Sequence, residues 1–271
     1  MNRGLLIKTI REVWAITAPF AIAVFIVETL IAYVLPTFSE QFADSWMGIE
    51  IVRKMLSALL SVDIGDQFGP HVFIAIAWVH PIVLTIFGAH ATIFATRFPV
   101  GEIDRATIDV LMGLPVSRWQ IYRCELVVFI ATGLVLLAMA IAGNRLGTSL
   151  VSADQPWPVS SISIVSINLL SLFLAVGGLA WLVSSLSNRR GKAIAVVFSL
   201  LLASFLLSFL AQFWEPAENI VFLSILNYYQ PLIIIRDGDW PTLNIVALLI
   251  VATSLWIIGG VINARRDICT V

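Results

Sequence analysis

Charge is scarce in this sequence. Only 12% of its 271 residues are Asp, Glu, Lys or Arg, where a soluble domain carries roughly 25%. A water-facing protein of this size is therefore excluded. Cysteine is nearly absent, and Cys124 and Cys269 make neither a disulfide framework nor a metal site. The three histidines, His71, His80 and His90, have no HExxH, DxxxD or Cys/His pairing around them, which removes the zinc-hydrolase signatures. His80 and His90 stand ten residues apart, about 15 Å along a helix and about 80° around it, so they cannot share a metal. No GxxxxGK(S/T) occurs, since Gly191-Lys192 lacks the upstream glycine and the following hydroxyl. A phosphate cradle is excluded. Internal repeats, low-complexity tracts and flexible linkers are also missing, and one domain over 1–271 is expected.

Apolar residues make up 59% of the chain, and mean hydropathy is +0.97. About 20 apolar residues in helix span the ~30 Å hydrocarbon core. Six candidate spans follow, at 13–35, 72–96, 120–143, 162–186, 193–213 and 242–262, and the fold class expected is an all-α polytopic membrane protein. The first run is too long and too Glu-bearing for a cleaved leader, and it is expected to remain in place. Trp14, Trp119, Trp157, Trp214 and Trp240 fall at span ends, as an aromatic belt requires.

The cations set the orientation. Of 16 basic residues, Arg3, Lys8, Arg11, Arg97, Arg105, Arg118, Arg123, Arg189, Arg190, Lys192, Arg265 and Arg266 fall on the side holding both termini. Arg53, Lys54, Arg145 and Arg236 fall on the other. Acids lean the opposite way, with Glu40, Asp44, Glu50, Asp63, Asp66, Asp154, Glu215, Glu218, Asp237 and Asp239 on the basic-poor side. Both termini are expected in the cytoplasm of a cell-membrane protein. The two cysteines then lie on the reducing side.

Between the spans, residues 2–14 predict a short amphipathic interfacial helix, with Leu6, Ile10 and Val13 on its apolar stripe. Residues 41–62 predict an outer-surface helix through Phe42, Trp46, Ile49, Val52, Leu56 and Leu59. Residues 214–241 are apolar in the middle but bracketed by acids and broken by Asn227 and Pro231, which suits a re-entrant or interfacial segment.

The longest polar stretch on the inner side is the loop 97–119. Ile103, Ala106, Val110 and Leu114 align on one helical face, with Glu102, Arg105 and Asp109 away from it, until Pro115 stops the run. The spacing predicts a helix of about 12 residues, some 18 Å long. By periodicity alone, a surface helix and a protein-docking helix are equally compatible.

Here a resemblance enters. Glu102, Thr107, Ile108, Asp109, Leu111 and Leu114-Pro115-Val116-Ser117-Arg118 are similar to the E…T(L/I)(D/E)xLLxLPVSR loop of type-2 ABC exporter permeases, with Met112 replacing the second leucine. Arg265-Arg266-Asp267-Ile268 resembles the FxRRDI ending of that family, with Asn263 where an aromatic is usual. Leu223-Ser224, Tyr228-Tyr229 and Pro231-Leu232 give a weaker third match. The resemblance implies a coupling helix that docks in a groove of a separate cytoplasmic ATPase. Its contact residues would be Glu102, Arg105, Thr107, Asp109, Val110, Leu111, Leu114 and Arg118. It also implies two permease halves, a homodimer by default or a heterodimer with a sister chain. No cofactor is expected on this chain; ATP and Mg²⁺ belong to the partner. The other partner is the lipid bilayer, and no nucleic acid is expected.

Three polar residues inside the spans are candidates for the substrate path. A carboxylate at Glu28 costs about 2.5–3.5 kcal/mol on insertion scales. Either it contacts a polar or cationic substrate, or it is protonated or hydrogen-bonded in the outer half of its span. His80 is a substrate-path candidate or a core histidine satisfied by a neighbouring helix beside a kink at Pro81. Asn168, with Ser163, Ser166 and Ser171, makes the outer half of span four polar, for interhelical bonding or substrate contact. Ser199/Ala203 and Ser204/Ser208 permit close helix approach. Two other classes remain open, an intramembrane enzyme using Glu28 and a span-two histidine, and a membrane scaffold. The topology is checked by labelling Glu50→Cys, Asp154→Cys and Asp237→Cys in intact cells. All three are expected to react with an impermeant thiol reagent, and reaction of any one only after permeabilisation breaks that part of the map.

Overall fold

The structure, a computed structural model, describes residues 3–37, 52, 54, 57, 70–151 and 158–267. The regular elements among them are helices: α1 (Arg3–Thr37), α2 (Pro70–Val79), α3 (Pro81–Ala95), α4 (Val100–Asp104), α5 (Ile108–Met112), α6 (Arg118–Val151), α7 (Val159–Leu186), α8 (Arg190–Leu210), α9 (Glu215–Glu218), α10 (Pro231–Asp237) and α11 (Thr242–Arg265). Two 3₁₀ turns, Val221–Leu223 and Ile225–Tyr228, lie between α9 and α10. The described residues form six stretches of spanning length and apolarity, namely α1, α2 with α3, α6, α7, α8 and α11. The architecture is that of an all-α polytopic membrane protein. The helix expected over 41–62 lies outside the described residues except at three positions. Trp157, Asp154, Ile268 and Cys269 lie outside them as well.

One expectation changes at the N-terminus. No break separates an interfacial helix from the first span, because no breaker stands between Glu12 and Ala18 and the buried stripe is continuous. Leu5, Thr9, Val13, Thr17, Ala21, Val24, Glu28 and Ala32 follow one another at spacings of three and four. Val13 is buried as expected, but Ile10 is exposed and Leu6 only half-buried, their places on the stripe being taken by Thr9 and Leu5.

Two helix pairs frame the bundle. α1 runs along α6, α11 runs along α7, and α3 bridges them by packing on α1 and α7. The first pair is a close approach of backbones. Cβ atoms at Gly143 and Gly147 would fall on the carbonyl oxygens of Phe25 and Thr29, so this GxxxG face tolerates no side chain. The second pair approaches through Gly178, which faces Ala252 and Trp256, and Gly259, which faces Trp181 and Leu182. Aromatic rings fill the centre: Phe129 stacks on Phe173 at 4.4 Å, and Trp256 lies 5.1 Å from Trp181 and 5.3 Å from Phe129. Trp256 Nε1 donates to the Leu174 carbonyl at 3.1 Å, and the Tyr122 hydroxyl donates to the Trp256 carbonyl. These two donors are thus spent on backbone acceptors that hydrocarbon cannot solvate, whereas Trp181 Nε1 is buried without a hydrogen-bond partner.

Apolar side chains cover the outside of the bundle. Ile22, Ile26 and Leu30 of α1, Phe198, Leu202 and Leu206 of α8, and Ile250, Ile257 and Ile258 of α11 all point outward, as lipid contact requires. Trp119, Trp214 and Trp240 are exposed near helix ends, and Trp14 is exposed eleven residues into α1. Helix α8 is the least embedded, burying only Ala193, Val197 and Ser208.

Span two is broken at His80, whose φ of −54° and ψ of 131° leave the helix. Pro81 has no N–H to continue the ladder. The Ile82 N–H, which a continuous helix would donate to Trp78, is instead taken by His80 Nδ1 at 3.3 Å. The vacated Trp78 carbonyl accepts the Tyr229 hydroxyl at 3.0 Å. His80 is therefore satisfied by the start of its own helix, and not by a neighbouring one. The 214–241 segment supplying Tyr229 folds back against the bundle, burying Tyr229, Leu232 and Ile234 where α10 packs on α2 and α7.

Gly143→Ala is expected to destabilise the protein by about 1–3 kcal/mol through overpacking of α1 on α6. Gly191→Ala, whose Cβ meets nothing, is expected to match wild type. Reversible denaturation in mixed micelles, followed by circular dichroism, measures both.

Candidate functional site

Helix ends carrying most of the basic residues converge at one end of the bundle, and the segment expected to couple lies there. Its single helix is in fact two. After α4 the chain turns at Arg105–Thr107, with Ala106 at φ 55°, a left-handed conformation that no helix interior holds. Glu102 stabilises the turn: its carboxylate accepts from Arg105 at 2.8 Å and from the Thr107 hydroxyl, while its carbonyl accepts the Thr107 N–H at 3.0 Å. Helical periodicity could not anticipate a staple between residues five apart. The kink rotates the faces. Ile108 and Leu111 are buried, as is Glu102, which was expected on the polar side. Val110 is 75% exposed and Leu114 46%, and Ala106 and Asp109 are exposed as well.

The segment is fastened to four helices. The backbone N–H of Val100 donates to the Ser184 hydroxyl at 3.3 Å, and that hydroxyl lies 3.2 Å from the Phe98 carbonyl it donates to, which ties α4 to the end of α7. Asp104 accepts the backbone N–H of Arg190 at 3.3 Å, placing an anion at the positive start of α8. Between α3 and α4, Arg97 is buried and forms ion pairs with Glu12 of α1 and Glu125 of α6. Thr9 donates to the other Glu125 oxygen at 3.1 Å, Lys8 pairs with Glu12 at 2.7 Å, and the Arg97 guanidinium sits over Phe94 at 5.8 Å. Glu125 and Arg97 are both desolvated, so each depends on the other.

Arg118 and Arg266 have backbone acceptors. Arg118 donates to the carbonyls of Asn263 at 3.0 Å and Arg266 at 2.6 Å. Arg266 donates to those of Ser185 at 2.8 Å and Ser187 at 2.9 Å. Each guanidinium thus sits where a helix ends with unpaired carbonyls and a negative dipole, at α11 and α7 respectively. Arg118, expected at the ATPase contact, locks α6 to α11 through its side chain. The two sequence motifs, far apart in the chain, meet here.

A cleft of about 510 Å³ opens between α1 and the α4–α5 segment. Lys8, Glu12, Ile16, Arg97 and Arg190 line it on one side, and Glu102, Arg105, Thr107, Val110, Leu111 and Leu114 on the other. Six of the eight residues expected to couple are thereby gathered round one cavity; Asp109 and Arg118 are not on its wall.

The substrate-path candidates lie elsewhere and apart. Glu28 is fully buried and accepts from Asn144 at 3.1 Å beside the Gly143/Gly147 contact. Asn168 is buried and donates to the Tyr228 carbonyl at 3.1 Å, an intramolecular tie to the returning segment. Ser204 and Ser208 each meet the Ser224 hydroxyl at 2.7 Å, so this small-residue pair seats the same segment. His90 is buried against Phe173 and lies 3.2 Å from the Thr17 hydroxyl. Thr17 and Glu28 are eleven residues apart on α1, about 16 Å, so His90 and Glu28 do not form an acid–base pair. No metal-ligand cluster occurs among the described residues, and the side chain of His71 lies outside them.

The geometry defines a membrane protein whose polar machinery is concentrated at one end of an apolar bundle, without an assembled catalytic group among the described residues. Residues 7–238 match the family described as ABC-2 family transporter protein, and the chain belongs to that family as a membrane permease subunit of an ABC transporter. No curated protein matches the chain significantly.

Arg97, Glu12 and Glu125 were not among the expected functional residues. Their signal was present as lone charges at the margins of three spans, of opposite sign and at one membrane level. Arg97→Gln strands Glu125 and is expected to cost about 3–5 kcal/mol. Arg97→Gln with Glu125→Gln should recover most of that loss. Thermal unfolding in detergent of wild type and both variants checks the pair.

Proposed function

We propose that this permease is the membrane half of an ATP-driven exporter, and that separate cytoplasmic ATPase subunits dock on the α4–α5 segment. The observation that carries this reading is that segment's construction. It is stapled internally by Glu102, fastened to the ends of α1, α6, α7 and α8, and presents Val110 and Leu114 outward. An apolar tip on a rigid base suits a seat in a protein groove, where a few buried apolar residues dominate binding. Asp109 and Arg105 flank the tip and would set register, since rim charges give specificity more than affinity. A movement of α5 would pass through Arg97 to α1 and α6, and through Asp104 to α8, as rigid bodies.

The chain contains no nucleotide cradle, so ATP and Mg²⁺ act on the partner. The basic end faces the cytoplasm of the cell membrane by the cation asymmetry. Two copies pair as a homodimer, the commonest symmetric assembly. The translocation path runs beside α8, where an apolar cleft of about 280 Å³ lies between α3, α7 and α8, lined by Phe87, Phe173, Phe198 and Phe205. Glu28, His80 and Asn168 each hold one intramolecular partner, while Glu28 Oε1 and Asn168 Oδ1 stay buried without one.

Val110→Asp with Leu114→Asp puts two carboxylates where a groove would desolvate them, a cost of several kcal/mol. The variant is expected to insert at wild-type level and to lose its ATPase on affinity purification. Both positions are exposed, so folding is spared, whereas Leu111→Asp would disrupt the bundle. Normal capture of the ATPase with coupled hydrolysis by the double variant removes the docking role.

A further inference from the structure

The cleft beneath the α4–α5 segment gathers cations beyond those that flank the docking tip. Guanidinium groups from three elements converge on it: Arg97 after α3, Arg105 after α4 and Arg190 at the start of α8, with Lys8 at its rim. Arg190 feels both other guanidiniums as like charges. The carboxylates present are already engaged. Glu12 pairs with Lys8 and Arg97, Glu125 with Arg97, and Glu102 with Arg105 and Thr107. Asp104 accepts the backbone N–H of Arg190. The Arg190 guanidinium donates to the Ile93 carbonyl at 3.1 Å and forms no salt bridge among the described residues. The Nε atoms of Arg97 and Arg190 are both buried without a hydrogen-bond partner. Unspent N–H groups on clustered guanidiniums are the chemistry that captures phosphate oxygens.

We propose that this cleft binds a phosphate-bearing anion, supplied by an anionic phospholipid headgroup. Ile16, Val110, Leu111 and Leu114 add apolar lining to the same cleft, and a bare inorganic anion has no use for it. A glycerol backbone and the start of an acyl chain do. The level in the membrane agrees, because the exposed Trp14 and Trp119 mark the headgroup zone at this end. Basic pockets between helices at this depth hold such headgroups. The bound lipid would bridge α1 to the underside of the α4–α5 segment.

Native mass spectrometry of the full chain, without its ATPase, tests the site independently of docking. Phosphatidylglycerol, phosphatidylcholine and inorganic phosphate are titrated in turn. Wild type is expected to hold phosphatidylglycerol about tenfold more tightly than phosphatidylcholine. Arg190→Gln and Arg105→Gln should each lose most of that tenfold preference, the loss of one charge-assisted hydrogen bond. Arg190→Lys should fall between, and Arg189→Gln, off the cleft, should match wild type. Arg105 is exposed enough that its variant keeps the test decisive should Arg190→Gln fail to fold. Phosphatidylglycerol binding that millimolar phosphate leaves unchanged supports the lipid source. Phosphate binding that displaces the lipid supports the anion site but moves its source to the soluble ion. Equal affinity for both lipids with no response to phosphate, or variants that bind like wild type, overturns the proposal.

Discussion

A buried guanidinium between two carboxylates organises the working end of this protein. Arg97 joins the end of span two to the start of span three through Glu125 and to α1 through Glu12. Desolvating these groups is costly, and only close mutual pairing recovers it. That constraint holds three helix ends at one level, and the α4–α5 segment departs from there. Were the pairing solvent-exposed it would be weak and compliant. Because Arg97 and Glu125 are buried, the joint is stiff, and the segment has a fixed base.

Elsewhere the bundle follows the reverse of a soluble protein's logic. Its outer faces are apolar, and its helices meet through glycine, through stacked rings and through side chains that donate to backbone carbonyls. Tyr122, Trp256, Tyr229, Arg118 and Arg266 all use this last device. Each donor finds an acceptor at a helix end, at a break, or in a ladder carbonyl able to accept twice. Without a hydrophobic force between helices, such contacts and close backbone approach hold the helices in register.

The spans were legible in the sequence because composition alone sets them. Ends differed by up to about ten residues where a helix runs past the hydrocarbon, as α1 and α6 do. The region of the site was legible too, through the Glu102-to-Arg118 pattern and the Arg265-Arg266 pair. Its geometry was not. Periodicity assumes an unbroken helix, and Ala106 breaks it through a staple from Glu102 to Thr107. The apolar face inferred from Ile103, Ala106, Val110 and Leu114 therefore split, with Ile108 and Leu111 turning inward. Arg118 reads as a surface charge until the end of α11 is placed beside it. Gly143 and Gly147 carried a readable four-residue spacing, whereas the pairing of Arg97 with Glu12 and Glu125 needed the third dimension.

The break at His80 carries a consequence for how the chain is made. Trp78 and its tyrosine partner are 151 positions apart. Synthesis from the N-terminus delivers the broken span long before Tyr229 exists. Throughout that interval the Trp78 carbonyl must stay near water or the insertion machinery, because lipid offers it no donor. The Trp78 carbonyl thus gains its protein donor only once the returning segment docks. A chain truncated before Tyr229 would expose that carbonyl as a local flaw inside the membrane, where quality control can recognise an unfinished protein.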